Sequence, residues 1–293
     1  PLARGRLVER AAAGASRDRR GHDAGTFSVS SYVATTDIDR AAALLAETAG
    51  RIQLLTHSKP DGDAAGSTIA LTEGLRLLGK DAQATFVEPM PAALAEMPGI
   101  GAVPTIDEQG PAELPEAALY VVLDTGAWSQ LGPADEIIEK HLDRTLIIDH
   151  HVSGDVLAAH RVIDGQMAAT AELVALLLDK LLADRGGLDA CTPAMRDGLF
   201  IGVASDTGWF RFSSTRPETH ELAARLIRQG ADHAELYRQL EQTERPAKVA
   251  LLTRALDSLR LLCDGRAAVM MLREGDFAET GALQAETERL VDI

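Results

Sequence analysis

Short apolar runs, each ended by a polar or acidic cluster, alternate along the chain with longer amphipathic stretches. Residues 51–56 (RIQLLT), 82–87, 118–123 (ALYVVL) and a run centred on 146–148 are continuous apolar segments of strand length. Between them, residues 37–49 and 63–78 carry helical periodicity and stop at Gly50 and Gly79, the residue type that most often ends a helix. Further helices are predicted over 170–183, 193–203 and 217–229, the last closed by Gly230. The Pro-, Ala- and Gly-rich stretch 90–109 predicts a short helix within loops. Strands alternating with helices predict an α/β fold, a mostly parallel sheet with helices on both faces.

The pattern changes at the two ends. Residues 1–35 place Arg4, Arg6, Arg10, Arg17, Arg19 and Arg20 among Ala, Gly and Ser without periodicity, which predicts a disordered N-terminal arm with no assigned function. The main domain is expected over 36–240. After it, 244–262 predicts a long linker helix, 267–272 (AAVMML) a strand and 276–291 a further helix. One strand and two helices make a poor core, so 241–293 reads as a linker and an incomplete smaller α/β domain. The chain starts with Pro and is expected to be a fragment or a processed form.

Composition adds limits to this picture. The 293 residues carry a formal net charge of -15, which disfavours long duplex nucleic acid as a partner. Short nucleotides held through metal ions remain compatible, because bound cations invert the local field. No apolar run approaches the roughly 20 residues of a membrane span. Cys191 and Cys263 are isolated, so no disulfide framework is expected, and a reducing, cytoplasmic compartment follows.

Four clusters carry candidate chemistry: His57-Ser58-Lys59-Pro60-Asp61-Gly62-Asp63, Asp124-Thr125-Gly126, Asp149-His150-His151, and Ser205-Asp206-Thr207-Gly208 with Arg211 beyond it. Each alone has a structural explanation. Asp63 can cap a helix, Asp124 and Asp206 can open turns before Gly, and His150 can be a satisfied core histidine. Together they place carboxylates and histidines at the edge where a parallel sheet binds ligands. Like charges gathered in one place repel unless cations neutralise them, so a metal site is expected. Mixed His and Asp ligands suit two divalent ions, Mn²⁺ in preference, with Mg²⁺ or Co²⁺ as substitutes. Gly62, Gly66 and Ser67 leave room and donors for a phosphate at a helix start.

The order and spacing of these clusters resemble the DHH phosphoesterase superfamily, and DTGWFRFSST most resembles its nanoRNase branch. The resemblance covers about residues 37–293. It implies His57, Asp61 and Asp124 around one metal, and Asp63, Asp124, His150 and Asp206 around a second, with Asp124 bridging. It further implies that His151 faces the scissile phosphate and that Asp149 orients the neighbouring histidines. Ser67 and Arg211 are candidate substrate contacts. The implied activity is hydrolysis of short oligoribonucleotides, pApA-type dinucleotides or 3′-phosphoadenosine 5′-phosphate by a metal-activated hydroxide. The alternatives are a truncated, non-catalytic binding protein or a family II-type inorganic pyrophosphatase. In the family a second domain, DHHA1, brings a glycine-rich GGGH-type loop, and no such loop occurs here; an incomplete second domain is compatible with a homodimer. His141, His160, His220 and His233 are expected in surface roles, and Trp209 in the core.

Overall fold

The computed structural model describes residues 32–287 and 290, apart from 107–113, 115, 157 and 244. The main body runs α1 (Ile38–Glu47), β1 (Ile52–Thr56), α2 (Gly62–Leu77), β2 (Ala82–Ala84), α3 (Ala92–Ala95), β3 (Leu119–Leu123), α4 (Asp135–Lys140), β4 (Thr145–Asp149) and β5 (His160–Ile163). It continues through α5 (Thr170–Leu181), α6 (Pro193–Asp206), α7 (Pro217–Arg228) and α8 (His233–Glu241). The five strands form one parallel sheet in the order β2-β1-β3-β4-β5. The predicted α/β architecture is therefore the observed one.

Both faces of the sheet are covered, which explains why its strands read as unbroken apolar runs. Leu54, Val121, Leu123, Leu146 and Ile148 face a core shared with α2, α5 and α6. Leu55, Tyr120, Val122 and Ile147 face a smaller core with Leu131, Ala134 and Ile138. Successive side chains alternate between the two, as the pleat requires.

Several features depart from the predictions. Residues 1–31 of the expected arm lie outside the described residues, but 32–35 are docked against the edge strand. Thr35 and Thr36 donate backbone N–H groups to the Arg161 carbonyl at 2.9 and 3.0 Å, and Arg161 Nε donates to the Val33 carbonyl at 3.0 Å. The segment thus covers the open edge of β5, which would otherwise expose unpaired backbone groups. Secondly, the 82–87 strand shrinks to three residues, followed by a single bridge between Phe86 and Thr105.

Thirdly, no single helix fills 244–262. Helix α9 spans Pro246–Asp257, and β6 (Arg260–Leu262) pairs antiparallel with β7 (Ala267–Val269). Cys263, Asp264 and Gly265 all have positive φ at the hairpin turn. The Asp264-Gly265 pair at the turn is of the type that favours a tight hairpin. Helix α10 (Glu274–Thr280) follows, and Leu251, Ala282 and Leu290 form a small cluster separate from the main core.

The contact that matters most for the site is the crossing of α2 and α6. A methyl group on Gly66 would overlap the Gly198 carbonyl oxygen, so the two backbones meet without side chains between them. Gly66→Ala is expected to destabilise the protein by about 3 kcal/mol, at the upper end of overpacking costs. A thermal or urea unfolding midpoint within error of wild type would contradict this packing.

Candidate metal centre

Sheet topology explains where the polar clusters converge. The chain leaves β1 towards β2 on one side, while β3 lies on its other side, so a crevice opens between the carboxyl ends of β1 and β3. His57 follows β1, and Asp124 follows β3 directly. The pairing of Thr56 with Leu123 and of Leu123 with Ile148 brings the three strand ends level. His57, Asp124 and Asp149 therefore emerge side by side. Asp124 adopts φ +62°, a left-handed conformation that turns the chain at the strand end.

The side chains form two adjoining groups. Ligand atoms of His57, Asp61 and Asp124 lie within 4.8 Å of one another, as do those of Asp63, His150 and Asp206. Asp124 lies between the groups: its Oδ2 is 3.6 Å from His57 Nε2 and its Oδ1 is 3.6 Å from His150 Nε2. A third grouping joins Asp124, His150 and His151. All six sequence candidates for metal ligands thus come together in one place.

Each imidazole is oriented through its other nitrogen. His57 Nδ1 lies 2.7 Å from the Ser58 carbonyl oxygen, and His150 Nδ1 lies 3.3 Å from that of Met167. A carbonyl can only accept, so these nitrogens carry the protons and each Nε2 is turned towards the carboxylates. His150 Nε2 is buried and makes no well-directed hydrogen bond, although Asp206 Oδ2 is 3.0 Å away. A buried imidazole nitrogen without a hydrogen-bond partner among carboxylates fits a divalent cation as its partner.

Charge tells the same story. Burial, then the charges of Asp206 and Asp61, push the Asp63 carboxyl up to about 7. Burial and the Asp63, Asp61 and Asp206 charges hold Asp124 well above the ordinary carboxylate range. For His150, burial pulls downwards, but the Asp206 contact and the Asp63 and Asp124 charges prevail and raise it to about 9. The donor set, all oxygen and imidazole nitrogen, fits hard or borderline divalent ions.

Several roles differ from the sequence expectations. Ser67 is fully buried and donates its hydroxyl to Asp63 Oδ1 at 3.0 Å, so it supports a carboxylate and does not reach substrate. The start of α2 is not a phosphate cradle, because Asp61 Oδ1 already accepts from the N–H groups of Asp63 and Ala64, both at 3.0 Å. Gly62 packs on Ser205, and Gly66 packs on Gly198. Asp149 touches only one histidine of its pair: its Oδ1 accepts from His151 Nδ1 at 2.7 Å. Asp206 ends helix α6 and does not sit on a sheet edge. Arg211 is exposed, with Nε donating to the Gly208 carbonyl at 2.7 Å. Trp209 is half-buried against Phe200 and Tyr237.

The distant histidines are also partly structural. His141 stacks on Tyr120, His220 stacks on Phe210, and His233 packs against Phe200. His160 lies on β5, half-buried.

Two residues at the start of α5 escaped the sequence reading. Thr170 N and Ala171 N donate to Asp63 at 2.6 and 2.9 Å, and Thr170 Oγ1 donates to Asp124 Oδ1 at 2.9 Å. Helix α5 has Ala169 at its N-cap position and no side-chain cap of its own. Asp63 supplies that cap from another helix, where the positive end of α5 steadies its charge. In the sequence Thr170 reads as an ordinary helix-start residue, so no signal there pointed to these contacts.

Fold and site together define an α/β protein with clustered Asp and His at the switch point of a parallel sheet. The family model described as "DHH family, N-terminal domain" matches residues 51–203. The chain belongs to the DHH family. It is 32% identical over 233 residues to the bifunctional oligoribonuclease and PAP phosphatase NrnA of Thermus thermophilus, covering 78% of this chain and 65% of that protein. It is 27% identical to the protein of the same name from Mycoplasma pneumoniae, over 66% of this chain and 57% of the relative. The chain thus spans roughly three-fifths of the length of these relatives. A crystal structure of an exopolyphosphatase-related protein from Bacteroides fragilis shares the fold with a TM-score of 0.78 at 24% identity, covering 87% of this chain and 75% of that one.

Proposed function

We propose that this chain is a metal-dependent phosphoesterase that hydrolyses short oligoribonucleotides, pApA-type dinucleotides and 3′-phosphoadenosine 5′-phosphate. The observation that carries the reading is the adjoining pair of carboxylate–histidine groups sharing Asp124. Relatives named oligoribonuclease and PAP phosphatase support the substrate class. His57, Asp61 and Asp124 would hold one divalent ion, and Asp63, Asp124, His150 and Asp206 a second, with Mn²⁺ preferred. Such ions supply Lewis acidity towards a phosphoryl oxygen and lower the pKa of water.

The side chains do the positioning. Asp63 is held rigid by α5 and Ser67, and Asp124 by Thr170. His151, with Nδ1–H donated to Asp149 and its side chain 53% exposed, presents Nε2 to the cleft, where it donates to a phosphate oxygen or leaving group when the ring carries a second proton. Arg211 remains a candidate phosphate contact at the rim. Residues 36–240 would form the catalytic domain, and 241–293 the linker and the beginning of a substrate-covering domain. Free thiols at Cys191 and Cys263 suit a reducing compartment such as the cytoplasm. Among the described residues, no helix is long and apolar enough to cross a membrane.

The test is product analysis with pApA, 3′-phosphoadenosine 5′-phosphate and pyrophosphate in parallel, with Mn²⁺ and with chelator. AMP from either nucleotide in the presence of metal alone is the expected result. Phosphate from pyrophosphate and nothing from the nucleotides would overturn it, and so would metal-loaded protein that turns over none of the three.

A further inference from the structure

Tyr32 lies 117 positions from the strand end it touches, yet it supplies the second oxygen of Asp149, the first residue of the Asp-His-His triplet, with its donor. Its side chain is 3% exposed, and its hydroxyl donates to Asp149 Oδ2 at 2.6 Å. Asp149 is fully buried and uses its other oxygen, Oδ1, to accept from His151 Nδ1 at 2.7 Å and from the His151 backbone N–H at 3.1 Å. Oδ1 thus has two donors, both from His151, and Oδ2 has the Tyr32 hydroxyl.

The ring occupies a slot shaped for it. A Cβ added to Gly126 or Gly154 would overlap the Tyr32 ring, and Gly126 follows two residues after Asp124. The backbone behind Tyr32 is tied to β5 through Val33, Thr35, Thr36 and Arg161. Burial, then the Asp149 charge, raise the ionisation of the phenol far above its ordinary range. The hydroxyl therefore stays a neutral donor throughout the working pH range.

We infer that Tyr32 is a positioning residue for His151, acting through Asp149 to fix the ring in one orientation with Nε2 turned to the cleft. The inference rests on the reading of His151 as the group that faces the scissile phosphate. No proton moves along the chain of bonds. Removing the hydroxyl leaves Asp149 Oδ2 without this donor and the carboxylate free to swing about its Cβ–Cγ bond. His151 then loses its directed partner and populates both tautomers. Outer partners of this kind commonly change activity 10–100-fold.

Tyr32→Phe keeps the ring in its slot and removes only the hydroxyl. With pApA and Mn²⁺, kcat is expected to fall about 10-fold at unchanged KM. In a His151→Ala background the same substitution is expected to change nothing, because the residue it acts through is gone. Imidazole ¹⁵N shifts of His151, read without metal or substrate, should show one tautomer in wild type and a mixture in Tyr32→Phe. An unchanged kcat with a single tautomer in the variant overturns the inference. An equal loss of rate with and without His151 also overturns it, since that would mark a general effect on the fold. If wild type hydrolyses none of the nucleotides, the proposed function fails, while the ¹⁵N measurement still decides the role of Tyr32.

Discussion

Asp124→Asn is expected to lower kcat/KM by on the order of 10³-fold or more, beyond the 10–100-fold that outer partners cost. The same substitution should raise the unfolding midpoint of the chelator-treated protein at pH 8. Both effects come from one geometry. Asp124 sits between His57 and His150 at 3.6 Å from each, so it would serve both ions. Without them it is a 3% exposed carboxyl facing the charges of Asp63, Asp61 and Asp206. Asn keeps an acceptor for the Thr170 hydroxyl and removes the charge. Kinetics with Mn²⁺ and thermal unfolding in chelator check the two halves. Full-rate hydrolysis by the variant would remove Asp124 from the bridging position. A lower midpoint in chelator would show that the metal-free cluster is not strained by like charge.

The metal-free protein is also expected to lose stability steadily as pH rises from about 4 to about 9, and divalent metal should reverse that slope. Asp63 goes from 3.8 to about 7 on folding. Between those values the folded state binds more protons than the unfolded chain, so stability falls as pH rises. His150, raised from 6.5 to about 9, contributes stability that is complete below 6.5 and lost as pH climbs through 9. The two contributions have the same sign. Cation binding displaces these protons, so the stabilisation by metal grows with pH. Urea midpoints at pH 5 and pH 8, with chelator and with Mn²⁺, measure this. A flat profile in chelator would show that the buried carboxylates are not repelling one another.

Much of the fold was legible because strands buried on both faces read as apolar runs and amphipathic helices end at glycine. The 51–56, 118–123 and 146–148 runs all became central strands, and helices 37–49, 63–78 and 217–229 shifted by only a residue or two at their ends. His160–Ile163 was missed because HRVI lacks a sustained apolar run, and its strand character comes from pairing with Leu146–Asp149. The helix expected over 244–262 ends at Asp257, because residues 260–262 pair with 267–269 in a hairpin whose Asp264-Gly265 turn lies beyond the periodic stretch.

For the site, chemistry-bearing residue types and their order were present in the sequence, and they sufficed to nominate His57, Asp61, Asp63, Asp124, His150 and Asp206. Strand register and the β1/β3 switch point were not. They bring Asp124 between two histidines, and the crossing of α2 and α6 carries Asp206, from the end of a helix, to His150. Support was the least legible level. Ser67 turned inwards to Asp63, Thr170 capped the cluster from α5, and Tyr32 reached Asp149 across 117 positions. A hydrogen bond between distant segments leaves no periodic trace in either one. The sequence by itself determined which groups are candidates for cation binding; the tertiary structure decided which donors steady them, because burial is what makes those donors necessary.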